Sequence, residues 1–337
     1  MRETDRRRKG RMAVVDTQPI PRDARVYVAG HKGLAGSAIW RAMRDAGFRN
    51  MFGVSSREVD LRERDAAFSY VRSVRPDVVV VAAARVGGIV ANSARPVDFL
   101  SDNLRIQVNV LDAALAAGVG RLLFLGSSCI YPKHAEQPIK ESSLMTGDLE
   151  PTNDAYAVAK IAGLTQVAAV RRQYGMAWIS AMPTNLYGPG DNFDREGSHV
   201  LPGLIRRFHE AAQEGRDEVE LWGSGTPRRE FLHSDDLGRA VVCLLDSYDA
   251  PEIINVGSGQ DISIRELAEL VAEVVGFGGR IVQDRTRPDG TPRKLLDVSR
   301  ISDLGWRPTI GLRSGLESTY RWFLEHHEGA RLEAVRR

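Results

Sequence analysis

The 337-residue chain has only two cysteines, Cys129 and Cys243. Two thiols cannot make a disulfide framework, and their scarcity fits a reducing, cytoplasmic setting. No apolar stretch approaches the roughly 18 residues that a membrane span needs, so no membrane partner is expected. A basic excess is missing as well. The formal charge is +2, but "MRETDRRRKGR" alone holds six basic and two acidic residues, which leaves −2 for the rest. Such a body is a poor match for nucleic acid. The basic segment has no apolar stretch behind it and is not a secretory signal. Residues 1–23 are expected to form a disordered extension. Internal repeats and low-complexity tracts are also absent from the sequence, and no metal site is expected.

What is present is an ordinary globular composition, 43% hydrophobic and 27% charged, with ample material for a core. From Arg25 onward, short Val-rich runs alternate with helical patterns. "RVYVAG", "NMFGVS", "PDVVVVAAA", "RLLFLGSS" and "AWISAMP" read as strands, separated by amphipathic stretches such as "SAIWRAMRDAGF" and "AYAVAKIAGLTQVAAVRRQYG". Continuously apolar strands that alternate with helices predict a parallel sheet covered on both faces. The fold class is therefore α/β, a Rossmann-type doubly wound sheet over residues 24–185. A smaller C-terminal lobe over 186–330 would face the substrate, with a late return strand near 230–257, where "INVGSG" stands. Cys243, in "AVVCLLD", reads as core packing. "FLHSDDLG" reads as a helix start capped by Ser234 or Asp235.

Three features carry chemistry. "GHKGLAG" puts Gly30, Gly33 and Gly36 between the first strand and the first helix, where backbone approaches a pyrophosphate at a helix N-terminus. The second strand ends in "GVSSREVDL" without an acid at the position that would bind the NAD ribose. Lys32 and Arg57 suit a ribose 2′-phosphate instead, which favours NADP(H); Arg57 also reads as a solvated surface charge. Asp60 and Leu61 suit the adenine edge. "NDAYAVAK" places Tyr156 and Lys160 four residues apart on one helix face. A phenol titrates near 10 and needs a neighbouring cation to exchange protons at neutral pH, which Lys160 supplies. Lastly, "GSSCIYP" ends the strand "RLLFL" with Ser127 and Cys129 at the carboxyl edge of the sheet. On its own this stretch reads equally as a turn with a buried thiol.

The glycine turn, Ser127, Tyr156 and Lys160 resemble the extended short-chain dehydrogenase/reductases. "AGHKGLAGSAI", "AAARVGGIVAN", "LFLGSSCIYP", "EPTNDAYAVAKIAG", "MPTNLYGPGDNF", "WGSGTPRREFLH" and "PDGTPRKLLDVSR" resemble, in collinear order from Arg25 to about His327, the GDP-L-fucose synthase branch. The resemblance implies an enzyme that uses NADPH to convert GDP-4-keto-6-deoxy-D-mannose to GDP-L-fucose. It would invert carbons 3 and 5 and then reduce the 4-keto group. Ser127 and Tyr156 would hold the oxyanion, while Cys129 and His199 would be the acid/base pair of the inversions. The sequence leaves open which of the two is the base. Without the resemblance, Cys129 reads as packing and His199 as a helix-start hydrogen bond.

On the cofactor side the resemblance adds His31, Leu34, Ala35 and Ser56 around the glycine turn. Leu125, Gly126, Pro183, Thr184, Leu186 and His199 would line the nicotinamide side. Arg207, Trp222, Arg229 and Asp289 are implied at the nucleotide sugar, with Asn185 near the sugar ring. Arginine's planar fork suits the diphosphate, and Arg206 and Arg228 stand beside the two implied cations. A homodimer is implied too. Two alternatives are another GDP-sugar epimerase/reductase, of the GDP-L-colitose type, and a non-catalytic NADP-sensing regulator. The regulator would be marked by loss of Tyr156 or Lys160, and both are present.

Overall fold

The computed structural model describes residues 18–334 except 196, 287 and 288. Residues 1–17, which include the whole basic segment and most of the expected 1–23 extension, lie outside the described residues. The apolar runs form a six-stranded sheet in the spatial order Asn50–Phe52, Arg25–Ala29, Val78–Val81, Arg121–Leu125, Ala177–Pro183, Ile254–Val256. Every neighbouring pair is parallel. Val78–Val81 and Arg121–Leu125 are buried at every residue, because helices cover both faces. One face packs Ile39, Met43, Leu237 and Val241 against the sheet, the other Val71, Leu111, Leu164 and Val167. The "INVGSG" run is the outer strand beside Ala177–Pro183.

The chain order reverses beside Arg25–Ala29, which pairs with both Asn50–Phe52 and Val78–Val81. Open α/β sheets bind ligands in the crevice at such a reversal, beyond the strands' carboxyl ends. The glycine turn and the loop after Val81 both open there.

Beyond the main sheet, Asn185–Tyr187, Arg228–His233, Asp261–Ser263 and Arg293–Lys294 make a second, four-stranded sheet. Glu218–Trp222 pairs in parallel with Arg280–Asp284. Helices Val200–Gln213, Ile264–Val275 and Leu312–Ala334 enclose a third core around Leu204, Phe208, Leu267, Val271 and Leu316.

Several expectations need correction. The stretch "NLRIQVNVLDAALAAG", whose pattern predicts a helix from Asn103, belongs to a longer helix that begins at Pro96, whose ring suits a first helical position where no amide donor is needed. The Leu312–Ala334 helix was not anticipated; its pattern is dominated by charge, yet Leu316 and Phe323 bury into the third core. In "FLHSDDLG" the cap is neither Ser234 nor Asp235. His233 Nδ1 accepts the Asp235 amide at 3.2 Å, while Asp236, fully buried, accepts the amides of Thr309 and Ile310. Residues 20–22 are fastened to the body rather than part of a free extension. Ile20 N and Arg22 both donate to Asp246, with the ion pair at 2.7 Å, and the Arg22 guanidinium lies 4.5 Å over the Phe48 ring.

Candidate active site

The first turn after Arg25–Ala29 closes by a Gly33 amide bond to the Gly30 carbonyl at 3.0 Å, with Gly30 at φ +83°. A Cβ on Gly30 would stand 2.7 Å from the Ala83 backbone, and one on Gly36 would collide with the Gly30 carbonyl. Only glycines let the turn, the helix and the third strand's end come this close. The helix Leu34–Asp45 starts at Gly33 with no side-chain cap, so its first amides point bare into the crevice. That shape fits a dinucleotide pyrophosphate.

His31 packs beside the turn. Its ring lies against the Gly53 backbone and 5.4 Å from Trp40, and burial lowers its pKa. Lys32, Ser56 and Arg57 are exposed at the crevice edge. Glu58 folds back on Ser55, accepting from its Oγ at 2.5 Å and its amide at 3.1 Å. These bonds first, and then the nearby Lys32 charge, hold its carboxyl below the usual range. Asp60 pairs with Arg62 at 2.7 Å.

The strand Arg121–Leu125 delivers "GSSCIYP" to the same edge. Ser127 Oγ caps a short 3-10 turn by accepting the Cys129 amide at 3.2 Å. Helix Asp154–Tyr174 runs alongside and brings Tyr156 and Lys160 beneath this turn. Tyr156 is half-buried beside Ser127; burial pushes its phenol well above the ordinary value, with the nearby Cys129 sulfur adding to the shift and Ser127 opposing it. Lys160 is buried, donates to the Leu125 carbonyl at 2.9 Å, and stands 5.9 Å from the Tyr156 ring centre. Burial lowers its pKa from 10.5 to about 8.

The Cys129 sulfur has two protein donors, Asn153 Nδ2 at 3.4 Å and Lys294 Nζ at 3.9 Å. Neither residue was singled out from the sequence. Both stand inside quoted motifs, but nothing in their spacing connects them to a thiol 24 and 165 positions away.

Next along the sheet, Gly126 is pressed against Met182, where a Cβ would clash with the thioether, so the backbone here lies flat under the crevice. Thr184 and Asn185 both donate to the Glu230 carbonyl, at 3.3 and 2.8 Å, and Leu186 pairs with Leu232. Asn185 thus uses its amide group to tie its strand to the neighbouring Arg228–His233 within the second sheet. His199 stands directly before helix Val200–Gln213 and makes no capping bond. The helix-start reading of that side chain is therefore not met. Its ring is reachable from solvent yet crowded by protein, and this loss of water lowers its pKa. The loop that carries it rests on Gly88, whose amide donates to the Gly197 carbonyl at 3.2 Å.

The paired arginines separate cleanly. Arg206 binds Glu210 at 2.8 Å and the Phe193 carbonyl, and Arg228 binds Asp261 at 2.8 Å, so both are structural ties. Arg207 and Arg229 instead donate to carbonyls, of Glu220 at 2.9 Å and of Arg228 at 2.8 Å; Arg229 lies near Cys129 and Asp289, and burial lowers both pKa values. The Arg207 guanidinium lies 5.5 Å from the ring of Trp222, which is 48% exposed and so not a core residue. Asp289 accepts from the Ser224 amide and hydroxyl at 2.9 and 2.7 Å, shaping the loop beside Arg229.

The profile of the NAD dependent epimerase/dehydratase family matches residues 26–257. GDP-L-fucose synthase 1 of Arabidopsis thaliana is 55% identical over 90% of this chain and 94% of its own. GDP-L-fucose synthase of Escherichia coli K12 is 50% identical over 90% and 98%. A crystal structure of a GDP-L-fucose synthetase from Naegleria fowleri bound to NADP superposes with a TM-score of 0.85 at 29% identity, covering 93% of this chain and 98% of that one. The chain belongs to the NAD dependent epimerase/dehydratase family, in its GDP-L-fucose synthase branch.

Proposed function

We propose that this chain is an NADPH-dependent GDP-L-fucose synthase, which inverts carbons 3 and 5 of GDP-4-keto-6-deoxy-D-mannose and reduces the 4-keto group. The observation that carries the reading is one cluster: Ser127 beside Tyr156, the Lys160 ammonium 5.9 Å from the Tyr156 ring centre, and the Cys129 thiol two residues from Ser127. When bound, the cofactor supplies the hydride. The bare helix start at Gly33 holds the pyrophosphate, and Lys32, Ser56 and Arg57 face the 2′-phosphate. Lys160 holds the nicotinamide ribose.

Inversion next to a ketone begins with loss of a carbon-bound proton, whose electron pair moves to the carbonyl oxygen. Ser127 and Tyr156 donate hydrogen bonds to that oxygen. Cys129 and His199 carry protons to and from the two faces of the sugar. Tyr156 later gives its proton to the oxygen of the reduced carbon, and the Lys160 ammonium offsets the phenolate that remains. Arg207 and Arg229 bind the diphosphate, Trp222 walls the nucleotide, and Asp289 fixes the adjoining loop. Residues 24–185 form the cofactor lobe and 186–330 mainly the substrate lobe.

The enzyme works in the cytoplasm as a homodimer. Exposed Val97, Val108 and Val158, on the adjacent helices Pro96–Ala116 and Asp154–Tyr174, offer an apolar face for that pairing. Among the described residues no helix is long and apolar enough to cross a membrane. The test is incubation with GDP-4-keto-6-deoxy-D-mannose and NADPH, with the product's mass and stereochemistry determined. GDP-L-fucose is expected; a different deoxysugar, or no turnover, overturns the reading. In the same assay kcat/KM for NADPH should exceed that for NADH, and parity would remove Lys32 and Arg57 from phosphate recognition.

A further inference from the structure

The surroundings of Cys129 are more specific than a turn requires. Asn153 precedes the first residue of helix Asp154–Tyr174, where an Asn side chain ordinarily accepts an amide of the first turn. Here it makes no such bond. Its Nδ2 is directed at the Cys129 sulfur, and its Oδ1 is buried with no partner among the described residues. A good capping group is withheld from its own helix and given to a thiol.

Lys294 arrives from the other side by strand geometry. Arg293–Lys294 pairs in parallel with Arg228–Arg229, with Lys294 opposite Arg229 and Arg293 opposite Arg228. Side chains alternate between the faces of a strand. Arg228 and Arg293 accordingly share Asp261 on one face, at 2.8 and 2.5 Å. Arg229 and Lys294 emerge on the opposite face, where the Lys294 ammonium stands 3.9 Å from the Cys129 sulfur and Arg229 lies nearby. Among the described residues Lys294 has no carboxylate within ion-pair distance, and the sulfur is the one partner of its ammonium. The backbone that follows the lysine is held by three bonds. Leu295 N donates to Gln137 Oε1 at 2.9 Å, the Leu295 carbonyl accepts from Ile139 N at 2.7 Å, and Leu296 N donates to the buried Glu230 carboxyl at 2.9 Å.

We propose that Lys294 and Asn153 are positioning residues for the Cys129 sulfur, acting as its charge partner and its orienting donor in the proton-exchange half of the reaction. The inference rests on the function proposed above. A thiolate, not a thiol, takes a proton, and an adjacent ammonium favours it. In the exchange step the sulfur forms the new S–H bond as the substrate C–H bond breaks, and the bonding pair passes to the carbonyl oxygen. Lys294 keeps its proton throughout, and Asn153 fixes the direction of the sulfur lone pairs.

Two measurements on the full chain test this, both with Cys243→Ser so that Cys129 is the sole thiol. The first is the rate of iodoacetamide alkylation at pH 7.5 without cofactor or substrate, followed by mass. Lys294→Met should slow it about tenfold, Asn153→Ala by a few-fold, and Lys294→Arg should restore most of the rate. The second is deuterium uptake at carbons 3 and 5 of the ketosugar in heavy water without NADPH, which should fall in parallel while NADPH binding stays unchanged. An unchanged alkylation rate in Lys294→Met overturns the inference, and so does weakened GDP binding as that variant's only defect, since the lysine would then serve the diphosphate. Slower alkylation with normal deuterium uptake leaves the pairing intact and instead overturns the acid/base role of Cys129. Should Lys294→Met fail to fold, Lys294→Gln gives the same comparison, with Lys294→Arg as the folded, charged reference.

Discussion

Two helices begin at a residue able to cap them, and they use it differently. Ser263 accepts the Glu266 amide at 3.1 Å while Glu266 returns a bond to the Ser263 amide at 2.9 Å, a complete capping box. Asn153, at the equivalent place before Asp154–Tyr174, makes no capping bond and donates to a sulfur, leaving Asp154 to accept the Ala155 amide at 2.6 Å. The first helix is stabilised where nothing reactive is near; the second gives up that stabilisation beside Ser127, Tyr156 and Cys129. The difference separates residues that hold the fold from residues that hold the site.

The largest expected effect bears on the sulfur that Asn153 serves. Cys129→Ala should lower deuterium exchange into the ketosugar by about 10²–10⁴-fold, with NADPH binding intact. Exchange at the wild-type rate would return Cys129 to a packing role and leave the uncapped helix without a purpose.

Further along the same helix, Lys160 should impose a pH dependence that the Ser263 helix lacks. Its pKa falls from 10.5 when unfolded to about 8 when folded, because burial disfavours the charge. Below about 8 both states hold the proton. Between about 8 and 10.5 only the unfolded chain binds it, so native stability rises with pH across that window. Reduction should move the other way, falling as pH passes through about 8 and the cation beside Tyr156 is lost. Rates and melting temperatures from pH 7 to 10 check both slopes, and Lys160→Met should abolish the rise in stability.

The smallest effect is the sharpest discriminator. Ser263→Ala should cost about 1 kcal/mol, seen as a melting point lowered by a few degrees at most, with exchange untouched. Asn153→Ala should leave the melting point near wild type and slow exchange. If both variants simply melt earlier, the two helix starts are alike and the contrast fails.

The parallel sheet was legible because Val78–Val81 and its neighbours are apolar at every position, a pattern that only strands covered on both faces produce. The glycine turn and the shared face of Tyr156 and Lys160 were legible because their geometry is local. The His233 cap was not, since an imidazole acceptor does not compete with Ser or Asp in any propensity ranking. Leu312–Ala334 was hidden because a few apolar anchors sit among many charges. Lys294 meets Cys129 only through the register of a two-residue strand against Arg228–His233, which no local pattern encodes.

That register also has a consequence for the order in which the protein is made. Chains leave the ribosome N-terminus first, and structure forms as segments become available. Ser127, Cys129, Asn153 and Tyr156 all emerge well before the outer strand Ile254–Val256, and Arg293–Lys294 follows later still. A partly synthesised chain therefore has the thiol without its ammonium. The sulfur meets the Lys294 ammonium only when the returning chain has docked against Arg228–Arg229, so this contact is among the last of the site to form.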